Sequence, residues 1–183
     1  MQRVAVTVLG RDRPGIVCDV TTILAQADCN IENLSQTVLK QEFAGIFIVA
    51  PPEGMPAQEV SDLLSSRLDG TELQISAHPV QEGEETSGFQ SEPFVVVCIG
   101  EDKVGLISAV TCVMKSYGVN IVNMQFVGQS SSFPGRTVAI YEVDLPRGLS
   151  LSEFTGSLRA RAEQVGLEVS VQHKRIFSDI CRI

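Results

Sequence analysis

The chain has 183 residues, of which 44% are hydrophobic and 20% are charged, so it can bury a core and is not disordered along its length. Its formal net charge of −8 argues against a nucleic-acid surface, since phosphate contacts need clustered Lys and Arg and the longest basic run is only H-K-R at 173–175. No run approaches the roughly 18 apolar residues of a membrane span, and the N-terminus does not resemble a signal peptide. We therefore expect a cytoplasmic protein that contacts neither nucleic acid nor membrane.

The five cysteines are odd in number and include no C-x-x-C pair. That spacing favours neither a disulfide framework nor a zinc site, and we expect reduced thiols. The two histidines, His78 and His173, fall late in predicted strands, without a Cys, Ser or acid at a spacing typical of a triad or a metal set. The sequence therefore predicts no catalytic residue, no metal and no cofactor.

The first half of the chain predicts the element order strand, helix, hairpin, helix, strand. A β-branched stretch predicts the first strand, and an apolar periodicity after a glycine turn predicts the first helix. The second helix has Pro56 near its start and Gly70 past its end. The predicted ranges are 3–9, 15–28, 30–40, 42–52, 56–70 and 71–80.

The second half repeats the order. Its predicted ranges are 94–100, 105–118, 120–129, 136–146, 150–166 and 167–177, with a hairpin loop over 130–135. Two β-α-β-β-α-β units predict an α+β fold, in which two ferredoxin-like domains have antiparallel sheets with helices on one face.

Residue n in the first half aligns with residue n+90 in the second. The shared residues include glycines, aspartates and asparagines outside the apolar helix face, which two unrelated amphipathic helices would not share. The matched pairs are Gly10 and Gly100, Asp12 and Asp102, Gly15 and Gly105, Asn30 and Asn120, Ile31 and Ile121, and Asn33 and Asn123.

The segment 81–93, Q-E-G-E-E-T-S-G-F-Q-S-E-P, is polar and acidic and predicts a linker. It separates a first domain over 1–80 from a second over 94–183. Units of about eighty residues have small cores, so we expect the copies to pack against each other, against a second chain, or both.

Each glycine turn joins a predicted strand to a helix. The G-x-x-x-x-G spacing resembles a phosphate loop, but neither copy has the Lys and Ser/Thr that such a loop needs, and neither has G-x-G-x-x-G. Unpaired N–H groups at a helix start favour an anion, and Gly15 and Gly105 allow close approach to that backbone. A small carboxylate suits such a turn.

Two further residue types leave alternatives open. Asp12 and Asp102 either cap their own helices or accept hydrogen bonds from a ligand ammonium group. Asn30 and Asn120 either take a left-handed conformation that ends the helix or use their donor and acceptor on a zwitterion.

The stretch G-R-D-R-P-G-I, with C-N-I some fifteen residues later, resembles the ACT domain, a small regulatory module that binds amino acids. D-K-V-G-L with V-N-I repeats the pattern more loosely, with Val104 in place of Pro14. The resemblance implies that the ligand sits where the first turn of one ACT domain meets another domain. Carried over, it assigns ligand binding to Asp12, Arg13, Pro14, Gly15, Ile16, Asn30, Ile31, Asp102, Lys103, Gly105, Leu106, Asn120 and Ile121.

A stand-alone pair of ACT domains also resembles the glycine cleavage system repressor group, whose members act through a partner protein. The resemblance thus implies a non-catalytic regulatory homodimer that binds a small amino acid and modulates a partner regulatory protein or enzyme. Two alternatives stay open: a ligand-free interaction scaffold, and a separate regulatory subunit of an amino-acid biosynthetic enzyme.

Overall fold

The computed structural model describes residues 2–80, 91–128 and 135–175. The chain divides into two units, Met1–Glu85 (unit 1) and Thr86–Ile183 (unit 2), and the division falls inside the segment predicted as a linker. Residues 81–90 of that segment, Cys181 and all of the predicted loop except Gly135 lie outside the described residues.

Unit 1 has the order strand, helix, hairpin, helix, strand. Its elements are β1 (Arg3–Arg11), α1 (Ile16–Gln26), β2 (Asn30–Leu39), β3 (Glu42–Ala50), α2 (Ala57–Arg67) and β4 (Gln74–Val80). Unit 2 repeats this order with β5 (Ser91–Gly100), α3 (Leu106–Ser116), β6 (Asn120–Val127), β7 (Thr137–Pro146), α4 (Leu151–Gln164) and β8 (Leu167–His173). The predicted β-α-β-β-α-β repeat is confirmed, although β5 begins within the segment assigned to the linker.

Each unit contains one antiparallel sheet, with strand orders β2-β3-β1-β4 and β6-β7-β5-β8. Alternate residues of the central strands face the helices, so that Val4, Val6 and Val8 pack with Ile16 of α1 and Leu64 of α2 in one buried cluster. The second cluster is built in the same way from unit 2 residues. The helices of each unit therefore cover one face of its sheet, as the sequence predicts.

The offset between equivalent residues changes along the repeat. It is 90 through the first three elements, but Phe47 pairs with Val6 and Tyr141 pairs with Val96, so these aromatic residues are equivalent at an offset of 94. The longer second hairpin accounts for the difference.

A β-bulge interrupts the hairpin ladder in both units. In unit 1 the register shifts between Ile31 and Asn33, which lie opposite Val49 and Ile48 respectively. Glu32 is the extra residue, and beyond it the alternation of β2 is displaced by one. Helix-facing positions downstream are therefore even-numbered, including Gln36 opposite Gly45.

Candidate functional site

The first glycine of each turn is required by packing. A Cβ on Gly10 would lie 2.9 Å from Cδ2 of Leu73 and 3.0 Å from the carbonyl oxygen of Glu72. A Cβ on Gly100 would lie 2.5 Å from the carbonyl oxygen of Gly166. The loop entering the last strand of each unit thus passes too close to the turn for any larger residue.

The second glycine of each turn begins a helix in a left-handed conformation. Gly15 has φ 96° and Gly105 has φ 93°, and no side chain caps either helix start. Among the described hydrogen bonds, none joins the carboxylate of Asp12 or Asp102 to a backbone N–H at these helix starts, so the capping alternative is not observed. A Cβ on Gly15 would meet only Nη1 of Arg13, at 3.7 Å, so the space beside the α1 backbone is open.

Arg13 lies over the start of α1. Its Nη2 donates to Oδ2 of Asp19 at 2.8 Å, and its Nη1 donates to the carbonyl of Pro14 at 3.3 Å. A cation at a helix N-terminus is unfavourable because the helix dipole is positive there, and Asp19 in the first turn offsets it. The guanidinium is thereby held where it adds to the attraction for an anion.

A cavity of about 360 Å³ opens at this point in unit 1. The turn and the first residues of α1 form one wall, and helix-facing residues of the β2–β3 hairpin form the other. Its lining consists of Asp12, Arg13, Gly15, Ile16, Val17, Cys18, Gln36, Val38 and Phe43. The backbone N–H of Asp12 donates to the carbonyl of Gln41 at 2.7 Å, which ties the turn to the hairpin.

The cavity therefore joins four predicted site residues to hairpin residues that sequence reasoning missed. Asp12, Arg13, Gly15 and Ile16 were predicted from the turn. Gln36 was not, because its equivalent in the repeat is Phe126 and no shared residue marks that position of the strand.

Asn30 and Ile31 lie away from this cavity. They begin β2, after the C-terminal end of α1, whose 11 residues span roughly 16 Å. The left-handed alternative for Asn30 is wrong, because the residue with positive φ after α1 is Asp28 (φ 55°), and its counterpart after α3 is Gly118 (φ 66°). Within one unit, the two parts of the predicted site are at opposite ends of the helix.

The turn of unit 2 is built differently. Nζ of Lys103 contacts Oε2 of Glu101 at 2.9 Å, and this hydrogen bond holds the pKa of the Glu101 carboxyl below its ordinary value. Ala109 stands where α1 has Asp19. Asp102, Lys103 and Gly105 are exposed, whereas Leu106 is buried.

The remaining predicted residues of unit 2 follow the pattern of unit 1. Asn120 and Ile121 begin β6, opposite Asp144 and Val143, at the far end of α3 from the turn.

The histidines lie on opposite faces of their sheets. His78 pairs with Ala5 and is exposed, whereas His173 pairs with Phe94 and stacks edge-on against it, with ring centroids 5.1 Å apart. They are displaced by one residue in the repeat, so they are not structural equivalents. Neither histidine lines the cavity.

Comparison with known proteins agrees with this architecture. The ACT-domain family model matches residues 2–77. A UPF0237 protein of Methanosarcina acetivorans is 33% identical over 94 residues, which cover 51% of this chain and 98% of that protein. The chain belongs to the ACT-domain family. A UPF0237 protein of Methanopyrus kandleri is 51% identical over 49 residues, and that match spans only 54% of its length.

Two solved structures share the tandem ACT arrangement over nearly the whole chain. One is an unknown protein from Galdieria sulphuraria, with TM-score 0.76, 27% identity, and coverage of 94% of this chain and 98% of that one. The other is a proposed glycine cleavage system transcriptional repressor, with TM-score 0.69, 19% identity, and coverage of 93% and 96%. The second likeness concerns the fold alone. Each ACT helix in the described part of the chain is too short or too polar to cross a membrane.

Proposed function

We propose that this tandem ACT protein is a non-catalytic cytoplasmic regulator that binds a small amino acid and thereby changes how it contacts a partner protein. The observation that carries the proposal is the cavity at the start of α1 in unit 1. It combines a carboxylate, a guanidinium and an uncapped helix start on one wall.

These groups match the two charges of an amino acid. The ligand carboxylate would face the N–H groups of α1 and the guanidinium of Arg13, which has five donors and uses some of them on Asp19 and Pro14. The ligand ammonium would face the carboxylate of Asp12.

Asn30 and Ile31 enter the proposal through a second chain. Because they lie at the opposite end of α1 from the turn, they reach a ligand in this cavity only if another ACT domain supplies them. We propose a homodimer in which the start of β2 in one protomer lies beside the cavity of its partner. Asn120 and Ile121 have the same placement in unit 2.

The partner is the least constrained part of the proposal. From the resemblance of the paired ACT motifs to the glycine cleavage system repressor group, we propose a regulatory protein or an enzyme of amino-acid metabolism as the partner class. The scaffold alternative has one observation in its favour: Leu9 and Ile46, 47% and 51% exposed, lie on the face of the unit 1 sheet that its helices leave open.

The test is a thermal-unfolding screen against the twenty amino acids, with the oligomeric state measured in parallel. A ligand at a hundred times its Kd adds about 2.7 kcal/mol of stability, which shifts Tm by roughly 5 to 10 °C. Selective hits would support the amino-acid sensor. A flat screen with a stable dimer would favour the scaffold.

The site is tested by Arg13→Ala and Asp12→Ala, with Glu59→Ala, at an exposed position of α2 outside the cavity, as the control. Losing a charge-assisted hydrogen bond to the ligand costs about 1.5–3 kcal/mol, so we expect Kd to rise by about 10- to 100-fold in the first two variants only. The side chains of the Arg13–Asp19 pair are 36% and 42% exposed, so Arg13→Ala should lower stability by no more than about 1 kcal/mol. Unchanged affinity in both variants would place the ligand elsewhere.

A further inference from the structure

We propose that only unit 1 of each chain binds the amino acid, and that Phe126 closes the equivalent space in unit 2. This inference rests on the proposed function. It adds the number of ligands bound per chain and the residue that determines that number.

Gln36 and Phe126 occupy the same position of the repeat. Gln36 lies opposite Gly45 on β3, and Phe126 lies opposite Ala139 on β7. Gly45 and Ala139 are equivalent, since each stands two residues before the buried aromatic residue of its strand. Both side chains therefore point to the helix side of the sheet, beside the glycine turn.

The spaces beside these two side chains differ in size. In unit 1, Gln36 lines the open cavity of about 360 Å³ beside the turn. In unit 2, Phe126 and Ile107 border an apolar gap of only about 10 Å³. The bulkier benzyl group of Phe126 therefore stands where the unit 1 cavity has the amide of Gln36, and it is 41% exposed.

The charged groups beside the two turns also differ in a way that favours binding in unit 1. In unit 1, Arg13 is held over the helix start by Asp19. In unit 2 the equivalent cation, Lys103, pairs with Glu101 before the turn, and Ala109 takes the place of the acid. The second turn therefore has an apolar ring in place of the amide, and its cation is paired with an acid that precedes the turn, not with one in the helix.

The walls of the unit 1 cavity also define the ligand class. Val38 and Phe43 are apolar, and the amide of Gln36 is uncharged but can donate and accept. Charged groups lie only on the turn side. We therefore expect an α-amino acid with an uncharged side chain, because a charged side chain would be desolvated against Val38 and Phe43 without a counter-charge.

Exposed thiols report each space separately. Cys18 lines the unit 1 cavity, and Ser108 is its exposed equivalent on α3. In full-length Ser108→Cys protein, iodoacetamide alkylation of both thiols is followed by peptide mass spectrometry, with and without a millimolar mixture of the amino acids other than cysteine. Alkylation of the exposed Cys112 on α3 is the internal reference.

We expect the mixture to slow alkylation of Cys18 about tenfold when the bound amino acid is at ten times its Kd, because only the free fraction reacts. The thiol introduced by Ser108→Cys should react at an unchanged rate. Adding Gln36→Phe should abolish the protection of Cys18, whereas Gln36→Asn, which keeps the amide, should retain it.

Equal protection of both thiols would overturn the inference while leaving amino-acid binding intact. Protection of neither thiol, together with a positive unfolding screen, would place the ligand elsewhere and also overturn it. A flat screen would remove the proposed function and this inference together.

Discussion

The two glycines of each turn are required for different physical reasons. Gly10 and Gly100 lie in extended backbone where a Cβ would collide with the loop before the last strand, whereas Gly15 and Gly105 take positive φ at a helix start. Replacing Gly15 strains the backbone whether or not a ligand binds there. Side-chain truncations such as Arg13→Ala are therefore better probes of the cavity than substitutions at the glycine.

The Gly100→Ala variant tests whether the first glycine of the turn is required by its close approach to the loop before β8. Its Cβ would lie 2.5 Å from the backbone oxygen of Gly166, which cannot move aside as a flexible side chain would, so we expect a loss of about 1–3 kcal/mol. The control is Gly156→Ala in α4, where a Cβ meets nothing within 4 Å and the helix should gain about 0.5–1 kcal/mol. Urea unfolding of both variants measures the difference, and equal stabilities would contradict the close approach.

Buried acids of unit 2 predict a loss of stability in alkali. Burial raises the pKa of the Cys98 thiol to about 12, and burial followed by the nearby Cys98 raises the pKa of the Tyr141 phenol to about 12. The unfolded chain releases these protons at a lower pH than the folded chain. Their contribution to the free energy of unfolding is therefore complete below a pH of about 8.5 and is lost as the pH rises toward 12. Each group adds a slope of up to about 1.4 kcal/mol per pH unit.

The variant that checks this slope is Cys98→Ala. Between a pH of about 8.5 and 9.5, where the unfolded phenol is still largely protonated, its unfolding free energy should fall less steeply than that of the native sequence. Urea titrations at several pH values give both slopes. The cavity left by the thiol lowers stability at every pH, so only the slope is diagnostic, and identical slopes would contradict the assignment.

At the scale of elements, the order of strands and helices was predictable but the cavity was not. Periodicity and the repeat predicted all twelve elements of the described chain, since the helices and the central strands have buried faces that their own sequences reveal. Strict alternation from Ile31 would place Ser35 on the helix side of β2. The bulge at Glu32 shifts the alternation and places Gln36 there instead. No motif marks that bulge, so the hairpin wall of the site could not be inferred.

The start of α4 gives a prediction at this scale. The hydroxyl of Ser150 accepts from the backbone N–H of Glu153 at 3.4 Å, in an S-x-x-E arrangement, whereas α2 begins after Pro56 without a side-chain cap. Ser150→Ala should therefore destabilise unit 2 by about 0.5–1 kcal/mol. Ser65→Ala is the control, since Ser65 is an exposed residue of α2 for which the described structure shows no side-chain hydrogen bond. Thermal unfolding compares the two, and equal Tm values would show that the cap contributes nothing.

At the scale of the whole molecule, the two units keep the same architecture while the residues beside their glycine turns differ. Core positions stay apolar in both units, as at Leu64 and Leu158. The surface beside the turn changes from Gln36 to Phe126. Sequence alignment showed the shared asparagines and glycines, but the consequence of the Gln-to-Phe change depends on the register of the hairpin. The similarity of the motifs therefore overstates the similarity of the two turns.

The two units have separate hydrophobic cores, which predicts that each unit can unfold locally without the other. Leu64 in α2 and Leu158 in α4 are each 0% exposed and belong to different clusters, and replacing either with Ala removes about 2–5 kcal/mol of packing. Because no residue is shared between the described clusters, each loss should weaken one unit. Hydrogen exchange with mass spectrometry should show faster exchange in β1 and α1 for Leu64→Ala, and in β5 and α3 for Leu158→Ala. Equal acceleration in both units by either variant would mean that the chain opens as a single cooperative body.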